Sequence, residues 1–447
     1  MATMPAAQEA AARGRATEWT APTRALPEGQ EMRTPHPTAG ERLFTRLARE
    51  TTSGRLIPQI DGLRFAAIGL VILFHLNGYL AAKWPLGHAG SMPQSSWLAQ
   101  ACLVGFHGVE LFFVISGFIL ALPFAAHHLQ ATPRVSLRSY YLRRLTRLEP
   151  PYIVTLVVLF TFAALVQAKS ANALLPHLAA GLVYSHSLIY GAPNGVAWSL
   201  EIEVQFYLLV PLLTLLFAIK RRCLRRLVLA GAILAGEALQ AMVTDQSMRA
   251  SLSILAYLQF FLMGFLLADI FLADWREAAQ PRLWWDFITL TGWPLMLTLL
   301  RFGWFTHWIF PFTILLLYCA AFQGRLSRRC FSNRWITVIG GMCYSTYLIH
   351  YEVISAVGRF TKGIGSNQSY WIYLPIQLAL IGVPIVLICG LYFVLLEKPC
   401  MRRDWPQRLW SRWQQMLSAI SGLRPFRAGG RTMDVGDAIV PVDQASS

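Results

Sequence analysis

Residues 57–80 read IPQIDGLRFAAIGLVILFHLNGYL. A helix over this stretch is about 36 Å long, enough to cross the roughly 30 Å hydrocarbon core of a bilayer. Asp61 and Arg64 sit towards one end and His75 lies deep towards the other. An ionisable group costs about 2.5–3.5 kcal/mol at the centre of a membrane helix, so it faces a partner or a cavity. Arg64 and His75 are eleven positions apart. At 100° per residue they return to within about 20° of one face, some 16 Å apart along the axis.

The rest of the chain repeats this composition. Of 447 residues, 55% are hydrophobic and 14% charged, and the mean hydropathy is +0.45. A soluble globule needs about a quarter charged residues. Apolar stretches long enough to span lie near 57–80, 102–123, 150–168, 197–218, 227–243, 251–272, 284–300, 304–322, 335–358 and 371–396. The expected fold is all-α: a polytopic integral membrane bundle of about ten transmembrane helices with both termini cytoplasmic. The 32 Gly and 24 Pro follow no repeat, which excludes collagen-like and low-complexity classes. The net charge of +16 fits one basic membrane face, with no nucleic-acid partner. The seven cysteines form no close metal-type pairs, so neither a zinc site nor a disulfide framework is expected.

Charge sets the topology. With ten spans the inner loops hold sixteen Lys and Arg, clustered at 134–147, 220–226, 276–282 and 325–334, against six in the outer loops. Those six are Lys83, Lys169, Arg249, Arg301, Arg359 and Lys362. Counting 173–190 as a crossing would move the 220–226 cluster outside, so that segment reads as re-entrant or interfacial. Residues 1–56, with eight Arg and six Glu, read as a disordered cytoplasmic arm. The membrane domain is expected over 57–403 and a basic amphipathic tail over 404–447. In the tail Leu409, Trp410, Trp413, Met416, Leu417 and Ile420 recur at helical spacing. Such a helix lies on the inner membrane surface or docks on the protein's own cytoplasmic face.

Other spans also carry ionisable groups. Glu110 and Ser116 lie in GVELFFVISGFIL, Glu201 and Glu203 in AWSLEIEVQFYLLVP, and His350 and Glu352 in CYSTYLIHYEVI. Imidazoles with carboxylates in apolar helices supply what proton transfer requires. The plainer alternative is structural: an Asp61–Arg64 pair at a helix end and hydrogen-bonded core histidines. In the expected loop 134–152, Arg144 and Arg147 stand one turn apart and suit a phosphate, although inner loops are Arg-rich for topology alone.

Together these segments resemble the membrane-bound acyltransferase family 3, the O-acetylase-type integral membrane proteins. DGLR followed by His75 is similar to the family's opening block, and GVELFFVISGFIL to its second. YYLRRLTRLEPPY resembles the RRxxRxxP loop, WSLEIEVQFYLLVP the WSLxxExxFY span, YSTYLIH the YSxYLxH helix, and LEKPCMRR the EKP close. The match runs from about Ile57 to Arg403 with the blocks in order. The resemblance implies transfer of an acyl group, commonly acetyl, from cytoplasmic acyl-CoA to a hydroxyl of a carbohydrate, glycolipid or other acceptor. It also implies a multi-pass protein of the bacterial inner (plasma) membrane.

By motif position, Arg64, His75, Arg144, Arg147, Glu203 and His350 carry over. Arg144 and Arg147 are then expected to hold the CoA phosphates, with Arg64 near the pantetheine entrance and no metal required. His75 is expected as general base, supported by Glu203 or Glu110, while His350 orients the acceptor or is itself the base. Val204 stands where the family often has a second acidic residue, leaving Glu203 the sole motif carboxylate. Some members carry an extracytoplasmic hydrolase-like domain after the membrane part, and none is expected here, so the membrane domain is expected to perform the chemistry alone. The competing class is a transporter or flippase of a lipid-linked sugar, in which buried charges line a substrate path.

Overall fold

The computed structural model describes residues 38–50, 56–83, 96–185, 194–244, 248–275, 281–402 and 404–421, and every regular element among them is helical. Met1–Leu43 and Phe44–Ser447 form separate units. The order begins α1 Ala39–Leu47, α2 Pro58–Ala82, α3 Trp97–Leu103, α4 Gly108–Gln130, α5 Leu137–Leu165 and α6 Ala171–Leu182. It continues with α7 Trp198–Leu213, α8 Arg222–Thr244, α9 Met248–Ser251, α10 Leu258–Ala273, α11 Leu283–Leu299 and α12 Gly303–Trp308. Then come α13 Phe310–Gln323, α14 Arg325–Phe331, α15 Arg334–Gly341 and α16 Cys343–Thr361. The last are α17 Tyr370–Tyr392, α18 Lys398–Cys400 and α19 Trp405–Ser421.

Among the described residues six helical stretches are long and apolar enough to cross a membrane: Pro58–Ala82, Trp97–Gln130, Leu137–Leu165, Trp198–Ala218, Arg222–Thr244 and Tyr370–Cys400. The other four expected spans fall on shorter or broken elements. Residues 251–272 hold a 3-10 turn at Ile254–Ala256 and most of the 16-residue α10, 284–300 most of the 17-residue α11, 304–322 divide into α12 and α13, and 335–358 break between α15 and α16. Helix α6, at 12 residues, is about 18 Å long and too short to cross. Residues 186–190 of that doubtful segment lie outside the described residues.

Helix α10 is apolar on all sides because protein surrounds it, burying every residue from Gln259 to Asp269. It packs most extensively on α4, and two glycines permit the approach. A Cβ on Gly117 would overlap the carbonyl oxygen of Phe261, and one on Gly264 would overlap that of Val114. Around the crossing Phe206 stacks on Phe261 with ring centroids 3.9 Å apart. By contrast α5, α7 and α17 present Val158, Leu165, Leu208, Leu212, Leu387 and Leu391 outward, as lipid-facing helices do.

Two expectations need correction. The segment 1–56 is not wholly an arm, since α1 falls inside it. Thr38 and Glu41 open that helix as a reciprocal cap, Thr38 N to Glu41 Oε2 at 2.8 Å and Glu41 N to Thr38 Oγ1 at 3.2 Å. Lys398 closes its far end, donating to the carbonyls of Thr45 and Arg46 at 2.8 Å each. Residues 1–37 and 51–55 lie outside the described residues. The arginine run expected as a loop over 134–152 is helical from Leu137, with Pro150 and Pro151 inside α5. Ser136 caps that helix, and the carbonyl of Pro151 accepts from the hydroxyls of Thr155 (3.0 Å) and Tyr392 (2.6 Å). In the tail, 405–421 forms α19 with Trp410, Trp413 and Met416 exposed, and 422–447 lies outside the described residues.

Gly117→Ala is therefore expected to wedge α4 from α10 and destabilise the bundle by about 1–3 kcal/mol. Gly69→Ala, where a Cβ meets nothing within 4 Å, should be neutral or stabilising. Thermal unfolding of the two detergent-purified variants checks this, and equal melting temperatures would refute the crossing.

Candidate active site

Helix α16 gathers the site because successive residues of its YSTYLIH segment reach different helices. The Tyr344 hydroxyl donates to the carbonyl of Leu148 on α5 at 2.7 Å. Ser345 donates through N (3.1 Å) and Oγ (2.6 Å) to Glu397 Oε2 beyond α17. The Tyr347 hydroxyl donates to the carbonyl of Val196 at 2.8 Å and meets Ser199 Oγ on α7 at 2.5 Å. His350 reaches α2, where its Nε2 lies 3.0 Å from His75 Nδ1.

Hydrogen bonding fixes the tautomers of this imidazole pair. His350 Nδ1 faces the carbonyls of Thr346 at 3.0 Å and Tyr347 at 2.9 Å, which only accept, so Nδ1 carries the proton and Nε2 is a lone-pair acceptor. His75 Nδ1 faces that acceptor and the carbonyl of Val71 at 3.1 Å, so it too carries its proton. The remaining lone pair of the dyad is on His75 Nε2. His350 is fully buried, whereas His75 lines a cavity of about 640 Å³ with Phe74, Tyr79, Tyr351 and Ser355.

A second cluster occupies the other end of α2. Arg49 and Arg64 both donate to Asp61 Oδ1, at 3.0 and 2.6 Å. Arg147 Nη2 stands 3.9 Å from the fully buried Glu397. One turn back, the Arg144 guanidinium lies 5.7 Å from the ring centre of Tyr207 and 5.9 Å from that of Tyr140. Among the described residues the Nε–H groups of Arg49, Arg144 and Arg147 are buried without a hydrogen-bond partner. Burial, then the charges of Arg64 and Arg147, pull the Arg49 guanidinium down to about 9, against the raising effect of Asp61. Crowded guanidiniums with spare donors suit an anion.

The expected residues thus separate into two places. His75 and His350 come together; Arg64, Arg144 and Arg147 gather at the opposite end of α2. The carboxylates expected to support His75 go elsewhere. Glu203 accepts from Ser116 Oγ at 2.7 Å, tying α7 to α4, and Glu110 pairs with His107 at 2.5 Å. Each is met first by a nearer polar neighbour, and the partner of His75 is the second imidazole. Sequence reasoning missed two participants. Arg49 sits in the segment read as an arm, and Glu397 sits on a π-helical turn over Phe393–Glu397. The conspicuous EKP triplet was the available signal for Glu397. Among the described residues no three His, Cys, Asp or Glu side chains gather as metal ligands.

Comparison with known proteins agrees with this arrangement of motifs. A family model described as an acyltransferase domain matches residues 57–395. The chain is 28% identical over 350 residues to O-acetyltransferase OatA of Staphylococcus aureus (strain NCTC 8325 / PS 47), covering 71% of this chain and 53% of that protein. A further Staphylococcus aureus (strain COL) protein, which carries a provisional O-acetyltransferase name, is 25% identical over 409 residues, 83% of this chain and 62% of its own. The chain therefore spans between half and two thirds of the length of these relatives. No solved structure matches it. With the family model covering most of its length, the chain belongs to the membrane-bound acyltransferase family 3.

Proposed function

We propose that this chain is an integral membrane O-acyltransferase that moves an acyl group, acetyl being the usual one in the family, from acyl-CoA to a hydroxyl of a carbohydrate or glycolipid acceptor. The observation that carries the reading is the His75–His350 pair, which leaves one imidazole lone pair beside a cavity. In this reading the acceptor hydroxyl lies against His75 Nε2. Its proton passes to Nε2 as the oxygen attacks the thioester carbonyl. The C–S bond then breaks, and CoA leaves as the thiol after taking that proton. Imidazolium on His75 is stabilised by the two acceptors of its Nδ1–H, His350 Nε2 and the Val71 carbonyl.

His350 is thus a positioning residue that touches no substrate. The arginines at the far end of α2 hold the CoA phosphates, and the pantetheine arm bridges the roughly 16 Å rise between Arg64 and His75. This orientation puts the arginine cluster and both termini in the cytoplasm of a bacterial plasma membrane, with the His75 cavity towards the outside.

His75→Ala is expected to lower turnover about 10²–10⁴-fold in correctly inserted protein, read as CoA released from radiolabelled acyl-CoA in the presence of acceptor. Near-normal turnover would remove His75 from the mechanism, and acceptor flux without thioester consumption would favour transport. Arg144→Ala combined with Arg147→Ala should raise the KM for acyl-CoA about tenfold or more while the acceptor KM stays put. Unchanged acyl-CoA binding would dismiss the phosphate grip.

A further inference from the structure

We propose that the acceptor saccharide carries a negative charge, and that Lys83, Arg359 and Lys362 recognise it at the cavity beside His75. The inference rests on the acyl-transfer reading and adds the acceptor's class. The cavity that holds His75 is also lined by these three cations, and among the described residues no acidic side chain lines it. Lys83 stands immediately after α2, Arg359 in the last turn of α16, and Lys362 just past it. The two helices that position the imidazoles therefore also deliver the charges.

Three further observations favour a ligand over a merely solvated rim. Among the described residues no ion pair joins Lys83, Arg359 or Lys362 to a carboxylate. The adjoining segments 84–96 (WPLGHAGSMPQSS) and 363–370 (GIGSNQSY) contain no Asp or Glu, so the chain supplies no counter-charge from either. Finally, in the topology expected from the sequence, Lys83, Arg359 and Lys362 are half of the six basic residues of the outer side, where Lys and Arg are normally depleted. Three unpaired cations at one cavity repel each other, and a bound carboxylate or phosphate relieves that repulsion.

The geometry also limits where the charge sits. Lys83 lies eight residues beyond His75, a rise of about 12 Å, and Arg359 lies nine beyond His350, about 13.5 Å. Their long side chains reach back over part of that distance, which puts the anionic group on the reacting sugar ring or the next one. Phe74, Tyr79 and Tyr351 supply apolar faces for the ring itself, and the Tyr351 ring lies edge-on to His75 with centroids 5.4 Å apart.

The test compares p-nitrophenyl β-glucuronide with p-nitrophenyl β-glucoside, which differ in the carboxylate. The full chain is used in nanodiscs of zwitterionic phosphatidylcholine. Binding is read by equilibrium dialysis without acyl-CoA, and turnover separately as CoA release. Binding is expected to favour the glucuronide at least tenfold at low salt, with the preference shrinking as NaCl is raised. Lys83→Gln with Arg359→Gln and Lys362→Gln should bring the ratio towards one, whereas Lys83→Arg with Lys362→Arg should retain it, which separates charge from misfolding. Equal binding of the two sugars by the wild type, or a preference that survives in the charge-free variant, overturns the proposal. Discriminating binding with no CoA release from either sugar would keep the anion site and sink acyl transfer.

Discussion

Hydrocarbon offers no partner to an ionisable side chain, and many such groups inside this bundle are answered by another part of the protein. The fully buried Glu237 is an exception: among the described residues its carboxylate oxygens accept no hydrogen bond. Asp61 collects Arg49 and Arg64, His350 meets His75, Ser116 meets Glu203, and His107 meets Glu110. At one end of α10, Asp269 holds both Arg225 and Arg226. Lipid is as apolar as leucine, so burial alone does not choose which helix faces pair. The polar contacts, with the Gly117–Gly264 crossing, make that choice.

The same contacts explain how the bundle bears chemistry. Helix α16 is held on successive residues by α5, by Glu397, by α7 and its approach, and by α2. A side chain locked in that way does not drift, and a general base needs a fixed direction for its lone pair. In the proposed reading the dyad differs from the usual carboxylate–histidine arrangement because a neutral imidazole supports the base. His350 can accept through Nε2 only because two main-chain carbonyls occupy its Nδ1–H.

The sequence made legible whatever belongs to one segment. Hydropathy located the helices, and the 3.6-residue period put Arg64 and His75 on one face, with Arg144 and Arg147 one turn apart. It could not say that Glu203 would be taken by Ser116, 87 positions away, or Glu110 by His107 a single turn back. The arginine run looked like a loop because charge and paired prolines break an apolar pattern. In the structure a serine cap and two hydroxyl donors keep it helical.

The amino-acid sequence by itself determined that this is a helical membrane protein with a fixed order of polar blocks, since apolar run length and helical period are local quantities. Only the tertiary structure decided that the two histidines are each other's partners, that Arg49 and Glu397 join the arginine cluster, and that the carboxylates stand apart from His75. Those pairings depend on which helices cross and at what height. Crossings are set by glycine close approach and by long-range hydrogen bonds, which no single segment encodes.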